Sequence, residues 1–423
     1  MTVSRAVAKY YLFKATEAVE FYRPVMYLYL LSQGLTFTHI AVVEALYNVT
    51  TVLGEVPTGY VGDRIGRRNS LLIGTVLIAL TLLGLALASS FPAFVVLFVC
   101  WSLGYNFRSG TEDAWVYETL SDDDASGEFA RVRGRGQSVA LAVGVGASLV
   151  GGYLGGIDLA YPFLVAAAVT GVGAVVLLTL DDPETYEESD ADELGFREAL
   201  DVVRTSVGRP RLRSFVVYYY VLFSAVTYLV FIFLQPVFED VLVALDPDVR
   251  LALGLPLLDG SLSLVVGPDR VESLLGAYYA AISLASAAIS YRIDAIADWM
   301  GLDRWFLLVP PLLGGLLIGM YFVPALAFLA LFLGRALVEP TRVLAGQYVN
   351  DRIETLGRAT VLSAMAMVSG LTVIPFQLGS GALSDAASPL FALSLAGVAL
   401  LVGSVAIHLW EVPVASTSAP DSN

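Results

Sequence analysis

Apolar runs of bilayer length recur along the whole chain, and they decide what it can fold into. Hydrocarbon about 30 Å thick takes roughly 20 helical residues to cross. Backbone amides inside it must be satisfied within the segment, which favours helices. By hydropathy about twelve such spans are predicted, at 10–31, 40–62, 70–90, 94–118, 136–156, 160–180, 214–236, 273–295, 305–323, 325–349, 359–383 and 389–410. A chain of 423 residues that is 57% hydrophobic and 15% charged is too apolar for a soluble protein. The expected fold is an all-α integral membrane protein. The first run lacks a small-residue cleavage site and reads as a retained span. The single cysteine, Cys100, lies in an apolar run and reads as a packing residue.

The basic residues set the orientation. Arg5, Lys9, Arg64, Arg67, Arg68, Arg131, Arg133, Arg135, Arg304, Arg352 and Arg358, with four arginines between 197 and 211, fall on one side; only Arg250 and Arg270 fall on the other. The first side is expected to be cytoplasmic, with both termini there. The formal net charge of −15 argues against nucleic-acid binding, which needs a basic stripe. Acidity with only two lysines, Lys9 and Lys14, resembles the protein composition of extreme halophiles. Residues 181–212 read as a cytoplasmic interdomain linker that opens with an acidic block. Residues 238–272 read as an external loop, more a passive insertion than a gate.

Ionisable residues inside spans are costly and face a cavity or a partner. Spans three, six, nine and twelve have none in their interiors, whereas span one has Lys14, Glu17, Glu20 and Arg23. Span four has Arg108, Glu112, Asp113 and Glu118; span ten has Arg335, Glu339 and Arg342 at i, i+4 and i+7. That distribution calls for a polar central cavity bounded by apolar outer helices. From depth along the helices, Glu17 and Arg108 are an expected pair, Glu20 lies near the midplane as a candidate for a proton or substrate role, and Arg23 is within reach of Glu44. Each pair also has a plainer reading as helix-gluing ion pairs. Trp101, Asn106, Tyr228 and Gln235 are candidate cavity-lining groups, and Tyr218, Tyr219 and Tyr220 read as an interfacial belt.

The string Gly59-Tyr60-Val61-Gly62-Asp63-Arg64-Ile65-Gly66-Arg67-Arg68 joins two spans, and Asp294 to Arg304 repeats it weakly. Asp63 sits near the C-terminus of its helix, where the dipole disfavours an anion. It therefore needs a partner. The electropositive start of span eleven, near Arg358, is one that would make a cytoplasmic latch, with Gly59 permitting close approach. Arg64, Arg67 and Glu118 belong to the same gate, and Asp298 is its counterpart in the second half.

This string resembles the loop 2–3 signature of the major facilitator superfamily. Glu55 to Gly59 and Ser109 to Glu118 resemble a prokaryotic, drug-exporter-like branch. The resemblance extends over nearly the whole chain. It implies two pseudo-symmetric six-helix bundles, at 1–180 and 213–411, with the linker 181–212 between them and a cytoplasmic tail at 412–423. It also implies alternating access around a midplane cavity lined by spans one, four, seven and ten. Gly151-Gly152-Tyr153-Leu154-Gly155-Gly156 departs from the antiporter pattern by carrying glycine where proline is expected.

The function expected is secondary active transport of a small-molecule substrate across the cell membrane by an exporter coupled to an ion such as a proton. Uptake of a small organic anion by symport is the first alternative, and a nontransporting membrane sensor the second. Neither a phosphate-binding loop nor a zinc-ligand cluster is present, so no enzyme activity and no cofactor are expected.

Overall fold

A computed structural model describes residues 5–17, 19–122, 128–182, 212–245, 271–352 and 358–414, without the side chains of 121–122 and 358–364. Most of the expected linker and the outer part of loop 238–272 lie outside the described residues. So does the segment 353–357 that precedes the helix expected to meet Asp63.

All regular structure among the described residues is helical. The first apolar segment is divided into α1 (Arg5–Ala15), α2 (Val19–Tyr22) and α3 (Met26–Ser32). Then come α4 (Phe37–Ile65), α5 (Arg67–Leu87), α6 (Phe91–Arg108), α7 (Thr111–Asp122), α8 (Phe129–Gly155) and α9 (Tyr161–Leu178). Beyond the linker, α10 (Leu212–Phe215) runs into a π-helix (Val216–Phe223) and then α11 (Ser224–Ala244). The remainder is α12 (Val271–Tyr291), α13 (Ile293–Met300), α14 (Leu302–Phe322), α15 (Leu326–Ala336), α16 (Val338–Asn350), α17 (Arg358–Ala386) and α18 (Pro389–Trp410).

Nine helical stretches among the described residues are long and apolar enough to cross a membrane. The sequence reading differs from the structure in where helices are interrupted. Span one breaks twice, at Thr16–Glu17 and at Arg23–Val25. In the first break the Thr16 hydroxyl bonds back to Phe13 O at 2.6 Å, and in the second Pro24 supplies no N–H. Span four breaks at Ser109–Gly110, where Gly110 has φ +74°. Span ten breaks at Leu337, because Pro340 cannot bond to the carbonyl of Ala336 and its ring crowds it. Span seven carries the π-helix. Its helix also continues through Pro236 to Ala244, past the expected end at 236.

Tyr218 and Tyr219 form no interfacial belt. They are buried, because the π-helix packs Phe215 and Tyr219 against Phe306 and lets the Tyr218 hydroxyl donate to Phe306 O at 2.6 Å.

The chain divides into two compact units. The first comprises Met1–Leu35, Val42–Ser189 and Pro247–Ala281; the second comprises Thr36–Ala41, Asp190–Asp246 and Ile282–Asn423. In the first unit, Tyr10, Phe13, Leu71, Trp115, Val132 and Leu177 belong to one buried apolar cluster. The other face of its apolar helices leaves Leu80, Leu87, Val172 and Val175 exposed, as a lipid-facing surface requires. In the same unit α8 crosses α12 at glycines. A Cβ on Gly152 would lie 2.5 Å from Glu272 O and 2.7 Å from Gly276 Cα. The glycine run of span five thus has a packing role, the close approach of two backbones.

Candidate functional site

The breaks put charge where helix dipoles favour it. A helix C-terminus favours a cation and an N-terminus an anion. Lys14 lies in the last turn of α1, and Glu20 in the first turn of α2. Arg108 ends α6, and Glu112 and Asp113 begin α7. Arg335 lies in the last turn of α15, and Glu339 in the first turn of α16. Spans one, four and ten, picked out by their charge in the sequence, are thus broken at or next to those charges.

In the first unit two breaks converge on a cavity of about 440 Å³. Glu17 receives Lys14 at 2.5 Å and Arg108 at 3.1 Å. Glu112 receives Lys14 at 2.9 Å, stands 4.0 Å from Arg108, and accepts from the Tyr10 hydroxyl at 3.2 Å. Two cations and two anions therefore form a closed, neutral quartet, with Lys14 nearly buried and the other three about a fifth exposed. At the rim Arg133 pairs with Asp113 at 2.6 Å. Trp101 lines the cavity and meets Tyr22 edge-on, with ring centroids 5.4 Å apart; Tyr105 is exposed beside them. The site presents both signs of charge and an aromatic wall, suited to a polar solute with an unsaturated or planar part.

The expected Glu17–Arg108 pair is therefore present. Lys14 and Tyr10 are the partners that the candidate set omitted. A signal for Lys14 was available: it is one of two lysines in a chain whose other basic residues are arginines. Nothing comparable marked Tyr10, whose role depends on Glu112 reaching it from α7.

Glu20 and Arg23 lie apart from the quartet. They pair at 2.7 Å, and Ser148 of α8 stands 3.4 Å from the second oxygen of Glu20. Glu44 accepts from the Tyr27 hydroxyl at 2.8 Å. In the second unit Arg335 lies over the Phe231 ring at 4.9 Å, and Tyr228 packs edge-on against the same ring. Glu339 pairs instead with Arg342, and both are largely exposed. The single helical face expected for Arg335, Glu339 and Arg342 is interrupted by the break at Leu337.

At the turn expected to form the gate, Arg67 bridges Asp63 and Glu118, the latter at 3.1 Å. Asp63 thus has a counterion one helical turn away, at the start of the next helix. Arg64 stacks on Tyr60 at 4.3 Å. Among the described residues, a Cβ on Gly59 would meet nothing within 4 Å. The repeated string shows the same local geometry. Gly66 has φ 89° and ψ 154°, and Gly301 has φ 81° and ψ 149°, each between two helices and each three residues after an aspartate. Asp298 is exposed, with no ion pair among the described residues. The backbone of Arg358 begins α17; its side chain lies outside the described residues. Asp182, from the acidic block read as linker, caps α5 by accepting from the Arg68 N–H at 2.7 Å.

Comparison with known proteins agrees with this architecture. Residues 18–365 match the family model described as Major Facilitator Superfamily. An uncharacterized MFS-type transporter of Methanocaldococcus jannaschii is 29% identical over 136 residues, 31% of this chain and 32% of the relative. Another, from Bacillus subtilis, is 22% identical over 152 residues, 36% of this chain and 37% of the relative. The chain thus spans about a third of the length of the curated relatives it matches. Among solved structures, the nucleoside transporter NupG superposes with TM-score 0.76 at 13% identity, covering 96% of this chain and 98% of that one. A bacterial homologue of the iron transporter ferroportin, in an inward-facing state, gives 0.68 at 13% identity, covering 97% and 99%. At such identities these likenesses concern the fold.

Proposed function

The chain belongs to the major facilitator superfamily, a family of transporters rather than enzymes, and on that premise we propose that it moves a small solute across the cell membrane by alternating access. In this reading twelve spans form two six-helix bundles, both termini are cytoplasmic, and the chain is an ion-coupled exporter of the drug-exporter-like branch. The carrying observation is the quartet Lys14–Glu17–Arg108–Glu112, held at helix breaks around a cavity. A neutral quartet in a low-dielectric site can exchange partners: a proton or a solute that neutralises Glu17 or Glu112 frees a cation to rearrange. Glu20, paired with Arg23, is a second candidate coupling carboxylate. The gate comprises Asp63, Arg64, Arg67 and Glu118, with Gly59, Asp298 and Arg358 as its further members.

One observation favours the symport of an organic anion as a second reading. Arg108 Nε is buried and has no hydrogen-bond partner among the described residues. A carboxylate or phosphate in the cavity would satisfy it.

Growth of a deletion strain across a panel of toxic compounds, followed by counterflow of any hit in inverted vesicles, tests the proposal. Hypersensitivity with accumulation inside inverted vesicles supports export. No altered sensitivity, together with uptake of an organic anion in right-side-out vesicles, would replace it by the second reading.

A further inference from the structure

The cavity of the first unit extends beyond its charged quartet. On α5, Gly74 lies against Arg108: a Cβ there would stand 2.9 Å from Arg108 Cγ. Ile78 and Leu82, one and two turns further along α5, line the cavity together with Tyr22, Trp101 and Thr170 of α9. Leu82 follows Gly74 by eight residues and Trp101 precedes Arg108 by seven, so the charged and apolar ends lie roughly 10–12 Å apart. Spans three and six, whose interiors carry no charge, thus contribute to the apolar end.

The charged end is balanced. The cavity is lined by Lys14, Arg108 and Arg133 and by Glu17, Glu112 and Asp113, three charges of each sign. All six are in ion pairs. A lone anion or cation entering would leave one charge in excess where water is scarce, which is costly. A zwitterion adds no net charge. Its carboxylate can take Arg108 from Glu17 while its ammonium takes Glu17, and every charge stays paired. Arg108 meets both acids through Nη2, and its Nε has no partner among the described residues, so its fork has capacity for a carboxylate. The break in span four has the same polarity. Ser109 and Gly110 line the cavity, and a Cβ on Gly110 would meet nothing within 4 Å. The end of α6 on one side of this break favours a cation, and the start of α7 on the other favours an anion.

We propose that the cavity takes a zwitterion with an apolar or aromatic substituent, a free amino acid of that type, with its carboxylate on Arg108, its ammonium on Glu17 or Glu112, and its side chain against Leu82 and Trp101. This rests on the reading of the cavity as the solute site and names the class of solute.

Binding to the purified full-length protein in detergent tests the class without requiring transport. Tritiated L-leucine and L-phenylalanine should bind saturably. Phenylpropionate, which lacks the ammonium, and phenethylamine, which lacks the carboxylate, should each compete about thirtyfold or more less well than phenylalanine. Glycine, which lacks the substituent, should compete about tenfold or more less well. Leu82→Phe shortens the apolar end and should weaken phenylalanine about tenfold relative to alanine. Trp101→Ala, at a half-buried position of the same end, should shift that ratio in the same direction. Binding of neither amino acid would overturn the proposal. So would competition by phenylpropionate or phenethylamine equal to that of phenylalanine. An unchanged ratio in both variants would overturn the placement of the side chain. The two readings fail separately. A toxic compound carried in counterflow with neither amino acid bound would leave transport standing and remove this proposal. Amino-acid binding with no compound carried would do the reverse.

Discussion

α5 runs from Arg67 to Leu87 without a break, and its only ionisable side chains are the two arginines of its first turn. The segment packed beside it begins as apolar, stops after Arg108, turns at Gly110 and resumes with Glu112 and Asp113. Both have bilayer length. The difference shows how charge is tolerated at depth. A continuous helix has no unsatisfied backbone dipole to offset an ion, so its interior is apolar and its outer face meets lipid. An interrupted helix exposes a partial negative charge before the break and a partial positive charge after it, so a cation and an anion can be placed there. Counter-charges from a second interrupted segment then complete the quartet.

Substitutions that unbalance the quartet should have the largest effect. Arg108→Ala leaves Glu17 with one cation instead of two. It is expected to lower stability by about 3 kcal/mol, measured by thermal unfolding in detergent, and to abolish transport. If Arg108→Ala is as stable and active as the parent, the breaks are not charge-balanced sites. Gly152→Ala probes the continuous side of the comparison. Its Cβ would collide with the backbone at Glu272 and Gly276, and a loss of about 2 kcal/mol is expected. Asp63→Asn should change stability by about 1 kcal/mol at most, because Arg67 keeps Glu118. It should nevertheless impair transport while expression and solute binding persist; unimpaired transport would remove the gate role. Glu20→Gln should alter the pH dependence of transport, and an identical profile would exclude Glu20 as the coupling group. The smallest effect is expected at the exposed Glu339–Arg342 pair, where Arg342→Ala should cost about 0.5 kcal/mol or less and leave transport intact.

Much of this contrast was legible in the chain itself. Hydropathy located the helical segments, and the count of buried charges singled out spans one, four and ten. The Glu17–Arg108 pair followed from depth alone, because two helices crossing the same slab place residues at comparable heights. The breaks were less visible. Pro24 and Pro340 announce two of them, but Gly110 is one glycine among 38, and the π-helix in span seven has no local signature beyond its aromatic run. The helix start expected to partner Asp63 adjoins residues 353–357, outside the described residues. Asp63 has a nearby arginine, which meets its need locally. Asp385 has no basic residue in the last turn of its helix, and its partner is a helix start that lies more than three hundred residues away in sequence. Such a contact depends on tertiary packing, which no pattern of spacing encodes.

Proteoliposomes loaded with a pH-sensitive dye and challenged with the same panel of toxic compounds test the role of the charged breaks most directly. At least one compound is predicted to drive a proton flux with the parent protein and with Arg342→Ala, and none with Arg108→Ala. A compound carried equally well, and with equal proton movement, by the parent and by Arg108→Ala would contradict the quartet as the site of coupling.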